Sequence, residues 1–159
     1  PEMAISLGCT GPVARGSGIS CDVRKHAPYD VYGQVEFKEI LLDGCDCMSR
    51  YMVRMEEMKQ SIAIIDQLID HIPEGPYRNK PKGVIKLPAG EYYSRVETAR
   101  GELGVYIVAD GTGKPWRVKF RTPNFSNLAA MKPLVKGAKI GDLVAIMSTL
   151  DLIIPDIDR

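Results

Sequence analysis

The sequence predicts an α+β fold in one domain spanning residues 1–159. Three observations carry that prediction. A stripe of Met48, Tyr51, Met55, Met58, Ile62, Ile65, Ile69 and Ile72 alternates spacings of three and four, the period of a long helix. Leu103, Val105 and Ile107 alternate with Gly104 and Tyr106, and Trp116, Val118 and Phe120 alternate with Arg117, Lys119 and Arg121. That is the period of two strands, and Asp110-Gly111-Thr112-Gly113-Lys114-Pro115 between them is a strong hairpin turn. No repeat, low-complexity tract or shift in composition marks a second domain, and 159 residues can bury a core.

Taken in order, residues 1–47 form a glycine-rich loop region, with Gly8, Gly11, Gly16, Gly18 and Gly33 joined by Pro12 and Pro28. Gly16-Ser17-Gly18 is not a dinucleotide fingerprint, because Cys21 stands where a third glycine is needed and no strand precedes it. The long helix covers 48–72, with Asp46 or Ser49 as its cap and Pro73 and Gly75 as its stop. Met52, Ile64 and Leu68 add a second apolar face, so the helix is expected to be buried on more than one side. Its methionines read as adaptable core packing rather than a cofactor lining. Residues 73–88 hold four prolines, two glycines and four basic residues, a surface connector. A β-hairpin follows over 92–122, one strand of which shows an apolar face and a triply basic face. Such a face is usually solvated, but it can also meet an acidic partner chain or the protein's own carboxylates. Residues 126–159 carry a short helix at 126–131 ended before Pro133, a second at 140–149 with Asp142 in its first turn, and a tail.

Twenty-one basic and 20 acidic residues give a net charge of +1, which offers no reason to expect nucleic acid as a partner. No apolar run approaches the roughly 20 residues needed to cross a bilayer. Cys9, Cys21, Cys45 and Cys47 contain one C-x-C pair but no C-x-x-C, and His26 and His71 lie far from that pair, so reduced thiols in an intracellular protein are the better reading than a metal site. Nucleophile elbow, H-E-x-x-H and P-loop patterns are missing. The ionisable residues that stand out are Glu97, Arg100, Glu102, Asp142, Asp151 and Arg159, around the strands and the tail. Each alone reads as a surface ion pair of little energetic weight.

Longer motifs say more. Thr10-Gly-Pro-Val-Ala-Arg-Gly-Ser-Gly18, Asp22-Val-Arg-Lys25 with Pro28-Tyr29, Arg50-Tyr-Met-Val-Arg-Met-Glu-Glu-Met-Lys59, Arg95-Val-Glu-Thr-Ala-Arg-Gly-Glu-Leu-Gly-Val-Tyr-Ile-Val-Ala-Asp-Gly111 and Arg117-Val-Lys-Phe-Arg-Thr-Pro-Asn-Phe-Ser-Asn127 together resemble one family. It is the D subunit family of NADH:quinone oxidoreductase, the large subunit of the peripheral arm of respiratory complex I. The resemblance covers essentially the whole chain and corresponds to the C-terminal part of the family protein. A start at Pro1-Glu2-Met3 fits that expectation. The family is related to the large subunits of nickel–iron hydrogenases. The tail, Asp151-Leu-Ile-Ile-Pro-Asp-Ile-Asp-Arg159, is similar to their metal-binding frame D-P-C-x-x-C-x-x-H with its soft ligands replaced. Ile153 and Asp156 stand at the thiolate positions and Arg159 at the histidine, and isoleucine and arginine offer no lone pair to a metal.

The resemblance implies that the former metal site has become part of a quinone cavity bordered by Arg100, Asp151 and Ile153, with Arg159 fixing the tail. A quinone head needs a mostly apolar slot with a few directed polar groups. Quinone is then the substrate of the assembled complex, and the fragment alone binds no cofactor and is inactive. The family's quinone-binding histidine and tyrosine lie outside this chain, and His26 and Tyr29 do not replace them. Implied partners are other peripheral-arm subunits, above all the iron–sulfur small subunit, with the membrane arm reached indirectly. The implied location is peripheral, on the cytoplasmic side of a bacterial inner membrane or the matrix or stromal side in an organelle. Electrons come from NADH or ferredoxin, with proton translocation by the whole complex. Two other readings are a non-catalytic assembly scaffold and a hydrogenase large subunit.

Overall fold

The computed structural model describes residues 1–78 and 83–158, so residues 79–82 of the connector and Arg159 lie outside the described residues. Its elements, in order, are α1 (Glu2–Ser6), α2 (Gly11–Arg15), α3 (Val23–His26), α4 (Cys47–Leu68), β1 (Gly90–Thr98), β2 (Gly101–Ala109), β3 (Arg117–Arg121), α5 (Pro123–Leu128), α6 (Met131–Val135), α7 (Asp142–Leu150) and α8 (Ile154–Ile157). The α+β class is as the sequence predicts.

The glycine-rich opening is more regular than its composition suggests. Three short helices lie within it, and two have local reasons. Pro12 sits in the first turn of α2, where its fixed φ fits and its missing N–H is not needed. Asp22 caps α3 by accepting from the Arg24 N–H at 2.9 Å. Val13 and Ala14 of α2 then pack with Cys9, Ala130, Ile146 and Leu150 in the main core, which lies between α2, α6 and α7. A smaller cluster joins Val35, Phe37 and Ile64.

Of the two candidate caps of helix α4 the structure uses Asp46, whose carboxylate accepts from the Ser49 N–H at 2.7 Å. The helix ends in a 3₁₀ turn over Ile69–His71. Its burial follows the expectation only in part: of the second apolar face Ile64 is buried and Leu68 half-buried, but the main stripe is not covered. Ser49, Arg50, Val53 and Ile64 are the buried positions, whereas every residue of the predicted stripe except Met55 is exposed. Periodicity identifies a helix and its apolar face, but not which face its own chain covers. Here the inner face is mixed: Val53 and Ile64 are buried beside Ser49 and Arg50, and Arg50 and Glu57 meet partners on α7 and α2.

The sheet has three antiparallel strands in the order β1-β2-β3, one more than the alternation revealed. Thr98 pairs with Gly101, leaving Ala99 and Arg100 as a two-residue turn. Between β2 and β3 the expected turn is present, with the Asp110 carboxylate accepting from the Thr112 N–H at 2.9 Å. The predicted helix at 126–131 is instead two, α5 and α6, with Pro133 tolerated in the first turn of α6.

Candidate functional site

Arg100 sits at the tip of the β1–β2 turn, and the backbone on either side of it is tightly fixed. Gly101 has φ +129°, and a Cβ there would lie 2.4 Å from Thr10 Oγ1 and 2.7 Å from the Gly11 nitrogen. Gly11, at φ +64°, approaches just as closely from the other side, its imagined Cβ 2.3 Å from the Arg100 carbonyl oxygen. Only glycine permits this backbone-on-backbone contact. Asn127 of α5, fully buried, bridges the same pair of segments. Its Oδ1 accepts from the Thr10 N–H at 3.1 Å and its Nδ2 donates to the Arg100 carbonyl at 3.3 Å.

Asp151 reaches Arg100 from 51 residues away because α7 ends in a left-handed residue. Asp151 itself has φ +54°, ψ +51°, a conformation aspartate tolerates better than most side chains. Its Oδ2 lies 3.2 Å from Arg100 Nε, and Nη2 donates to Oδ1 at 3.5 Å. The Nε contact is ionic rather than a well-aligned hydrogen bond, since that buried atom has no hydrogen-bond partner among the described residues. Both side chains are about one-third exposed, at 35% and 34%. A pair so placed contributes roughly 1 kcal/mol or less to stability.

Behind this pair lies a cavity of about 420 Å³ lined by Arg15, Arg24, Arg54, Glu57, Glu97 and Asp151, with Tyr32, Met58, Ser61, Thr98 and Ala99 between them. Arg15 is its anchor, 1% exposed, and it donates from Nε to Glu57 and from Nη1 to Glu97 at 2.8 Å. Burial disfavours the Arg15 charge, but the attraction of Glu97 and Glu57 outweighs it and holds the guanidinium above its ordinary pKa. Burial pushes the Glu97 carboxyl up, with Arg15 recovering only part of the rise. The Glu97 Oε2 also accepts from the Val23 N–H at 3.1 Å, so the residue ties α3 to β1. Arg54 is drawn below its usual pKa by burial, offset in part by Asp151 and Glu57, and its buried Nε has no partner among the described residues.

Of the four residues expected at the site, the structure brings Arg100 and Asp151 together. Ile153 follows as the residue before α8, 37% exposed, and does not line this cavity. Arg159 lies outside the described residues. Asp156, at a thiolate position of the hydrogenase frame, accepts from the Asn124 N–H at 3.2 Å and so helps hold the start of α5. The cavity beside Asp151 brings together six charged side chains with Tyr32 and Met58 between them. Arg15, Arg54 and Glu57 do not stand out as site residues in the sequence. The available signal is an arginine following Val13 and Ala14, a place where a charge survives burial only with partners. The four cysteines are free thiols, Cys9 buried and Cys45 exposed. Burial lifts the Cys21 thiol to about 11.

The chain matches the family described as respiratory-chain NADH dehydrogenase, 49 Kd subunit, over residues 1–86 and 80–159. It is 51% identical over 158 residues to the C/D subunit of NADH-quinone oxidoreductase from Bacteroides thetaiotaomicron, covering 99% of this chain and 30% of that protein. To the D subunit of NADH-quinone oxidoreductase from Desulfotalea psychrophila it is 50% identical over 161 residues, covering 100% of this chain and 43% of that protein. The chain thus spans less than half the length of these relatives. Among solved structures it is similar to a chain of the membrane-bound sulfane sulfur reductase, an archaeal respiratory membrane complex. The TM-score is 0.91 at 38% identity, covering 99% of this chain and 44% of that one. A match that runs the length of the sequence, with half its residues identical to those relatives, establishes that the chain belongs to the respiratory-chain NADH dehydrogenase 49 kDa subunit family.

Proposed function

We propose that this chain is the C-terminal part of the D subunit of a proton-translocating NADH:quinone oxidoreductase, and that Arg100 and Asp151 border the quinone head group. The supporting observation is the ion pair itself. Two residues 51 positions apart meet in a contact too exposed to matter much for stability. Each is held by a specific backbone feature: Gly11 against Gly101 for Arg100, and a left-handed residue for Asp151.

The chemistry suits the pair. Reduction of a quinone to a quinol consumes two electrons and two protons, and negative charge builds on the ring oxygens before protons arrive. A fixed guanidinium beside such an oxygen stabilises that charge most where water is scarce. Asp151 holds Arg100 in orientation, and Glu57 and Glu97 line the charged cavity behind it, where they hold Arg15. Ile153 and Ile154 supply apolar wall, and the rest of the slot and the electrons come from the iron–sulfur small subunit packed against this face. The described residues contain no helix long and apolar enough to cross a membrane. The proposed location is accordingly peripheral, on the cytoplasmic side of a bacterial inner membrane or its organellar equivalent.

The solved relative from a sulfane sulfur reductase gives a second reading, with a sulfur compound as the acceptor at the same arginine. Photolabelling the intact complex with an azidoquinone tests the first. Labelled peptides containing residues 98–101 or 151–154 support it. Labels confined to distant peptides, or polysulfide reduction in place of quinone reduction, overturn it.

A further inference from the structure

The sheet carries a feature that the quinone site leaves unused. Cross-strand pairing puts Glu91, Val108 and Arg117 in one row, Tyr93, Tyr106 and Lys119 in the next, and Arg95, Gly104 and Arg121 in a third, all on one face. The opposite face holds Tyr92, Ile107 and Val118, then Ser94, Val105 and Phe120. Strand β3 has β2 on one side and, among the described residues, no strand on the other. Arg117 and Lys119 form no ion pair among the described residues, and Arg121 donates only to the carbonyls of Glu102 and Gly8. Tyr93, Tyr106 and these three cations line an open hollow of about 440 Å³. Val118 and Phe120, between the cations, are each 42% exposed.

From this geometry we infer that the free edge of β3 receives an extended segment of another polypeptide, with acidic residues at alternate positions and apolar residues between them. A strand laid beside β3 would complete its outward backbone hydrogen bonds. Its alternate side chains, about 6.6 Å apart, would face Arg117, Lys119 and Arg121 on one side and Val118 and Phe120 on the other. Three positive charges in register select carboxylates, because opposite charges directly across a ladder attract and like charges repel. The same row excludes a second copy of this strand, which would set cation against cation. Lysine and arginine on an edge are a known guard against strand pairing. Here the guard acts against a basic or neutral strand and favours an acidic one. The inference stands apart from the quinone reading, since it involves neither Arg100 nor Asp151.

The test uses the native complex carrying the full-length subunit. A carbodiimide converts a carboxylate to an O-acylisourea, and a neighbouring amine attacks its acyl carbon to form an amide and release the urea; Lys119 offers that amine. The expected product is an isopeptide between Lys119 and an Asp or Glu of another polypeptide, within a segment alternating acidic and apolar residues. Amide exchange across Arg117–Arg121 is expected to be slower in the complex than in the separated subunit. Replacing both cations, Arg117→Glu with Lys119→Glu, is expected to reduce retention of that partner on the order of tenfold, whereas Lys119→Arg retains it. An unlinked Lys119, a link to Glu91 or to any other segment of the same subunit, or fast amide exchange on β3 within the complex overturns the proposal.

Discussion

Replacing Arg15 with methionine removes the cation that forms an ion pair with Glu97 among the described residues, and the structure sets the size of the effect. Glu97 is 3% exposed and Arg15 1%, so solvent cannot substitute for the lost partner. A buried carboxylate left without its cation costs about 3–5 kcal/mol. Protonation provides a limit to that cost. Taking up a proton at pH 7 from an ordinary value of 4.5 spans about 2.5 pH units, or about 3.4 kcal/mol at 1.36 kcal/mol each. At pH 5.5 the same escape costs about 1.4 kcal/mol. Arg15→Met is therefore expected to destabilise the chain by about 3 kcal/mol at neutral pH and by about 2 kcal/mol less at pH 5.5. Urea unfolding followed by circular dichroism at the two pH values measures both numbers. Adding Glu97→Gln should restore much of the loss, since a neutral amide needs no cation. A penalty below about 1 kcal/mol at neutral pH, or one that does not change with pH, refutes the buried-charge reasoning.

Other expectations follow from neighbouring features. Glu97 titrates above its ordinary value when folded, so its contribution is fully present below about 4.5 and declines as pH rises through the folded pKa; Glu97→Gln removes that part of the stability–pH curve. Asp22 has the opposite sign, because burial would raise its carboxyl but the Arg24 hydrogen bonds outweigh it and hold the pKa below 3.8. Its contribution is present above 3.8 and disappears as acid titrates it in the folded state, and Asp22→Asn flattens that acid limb in the same measurement. Gly101→Ala adds a methyl group 2.4 Å from Thr10 Oγ1 at a positive φ and should cost about 2–3 kcal/mol, read from the urea midpoint. Asp151→Asn, at a one-third exposed pair, should shift that midpoint by less than about 1 kcal/mol.

Much of the fold could be read from the sequence wherever a local rule set it. The Asp110 turn is legible because one side chain decides it, and the α4 cap is narrowed to Asp46 or Ser49, which turn out to be the two ends of one hydrogen bond. Strand β1 was missed because Glu91-Tyr-Tyr-Ser-Arg-Val-Glu-Thr98 mixes polar and apolar residues on both faces, and its Ala99-Arg100 turn lacks the usual Asn-Gly signature. The direction of the α4 stripe was illegible for a different reason: apolar period fixes a face, while partners fix which way it points. At the site, nothing local joins Arg100 to Asp151; the family resemblance suggested them and the left-handed end of α7 brings them together. The Arg15 network was hidden because its partners Glu57 and Glu97 come from separate elements and meet only in three dimensions.

The central claim is that Arg100 and Asp151 act on the electron acceptor and do not merely hold the complex together. The most direct measurement is the turnover of the purified complex carrying Asp151→Asn, assayed with quinone and, separately, with an artificial acceptor that takes electrons upstream of the quinone. Normal subunit content, unchanged artificial-acceptor activity and a quinone rate lowered by about tenfold or more is the predicted result. Wild-type quinone turnover in a fully assembled variant, or loss of the subunit from the complex, would contradict it.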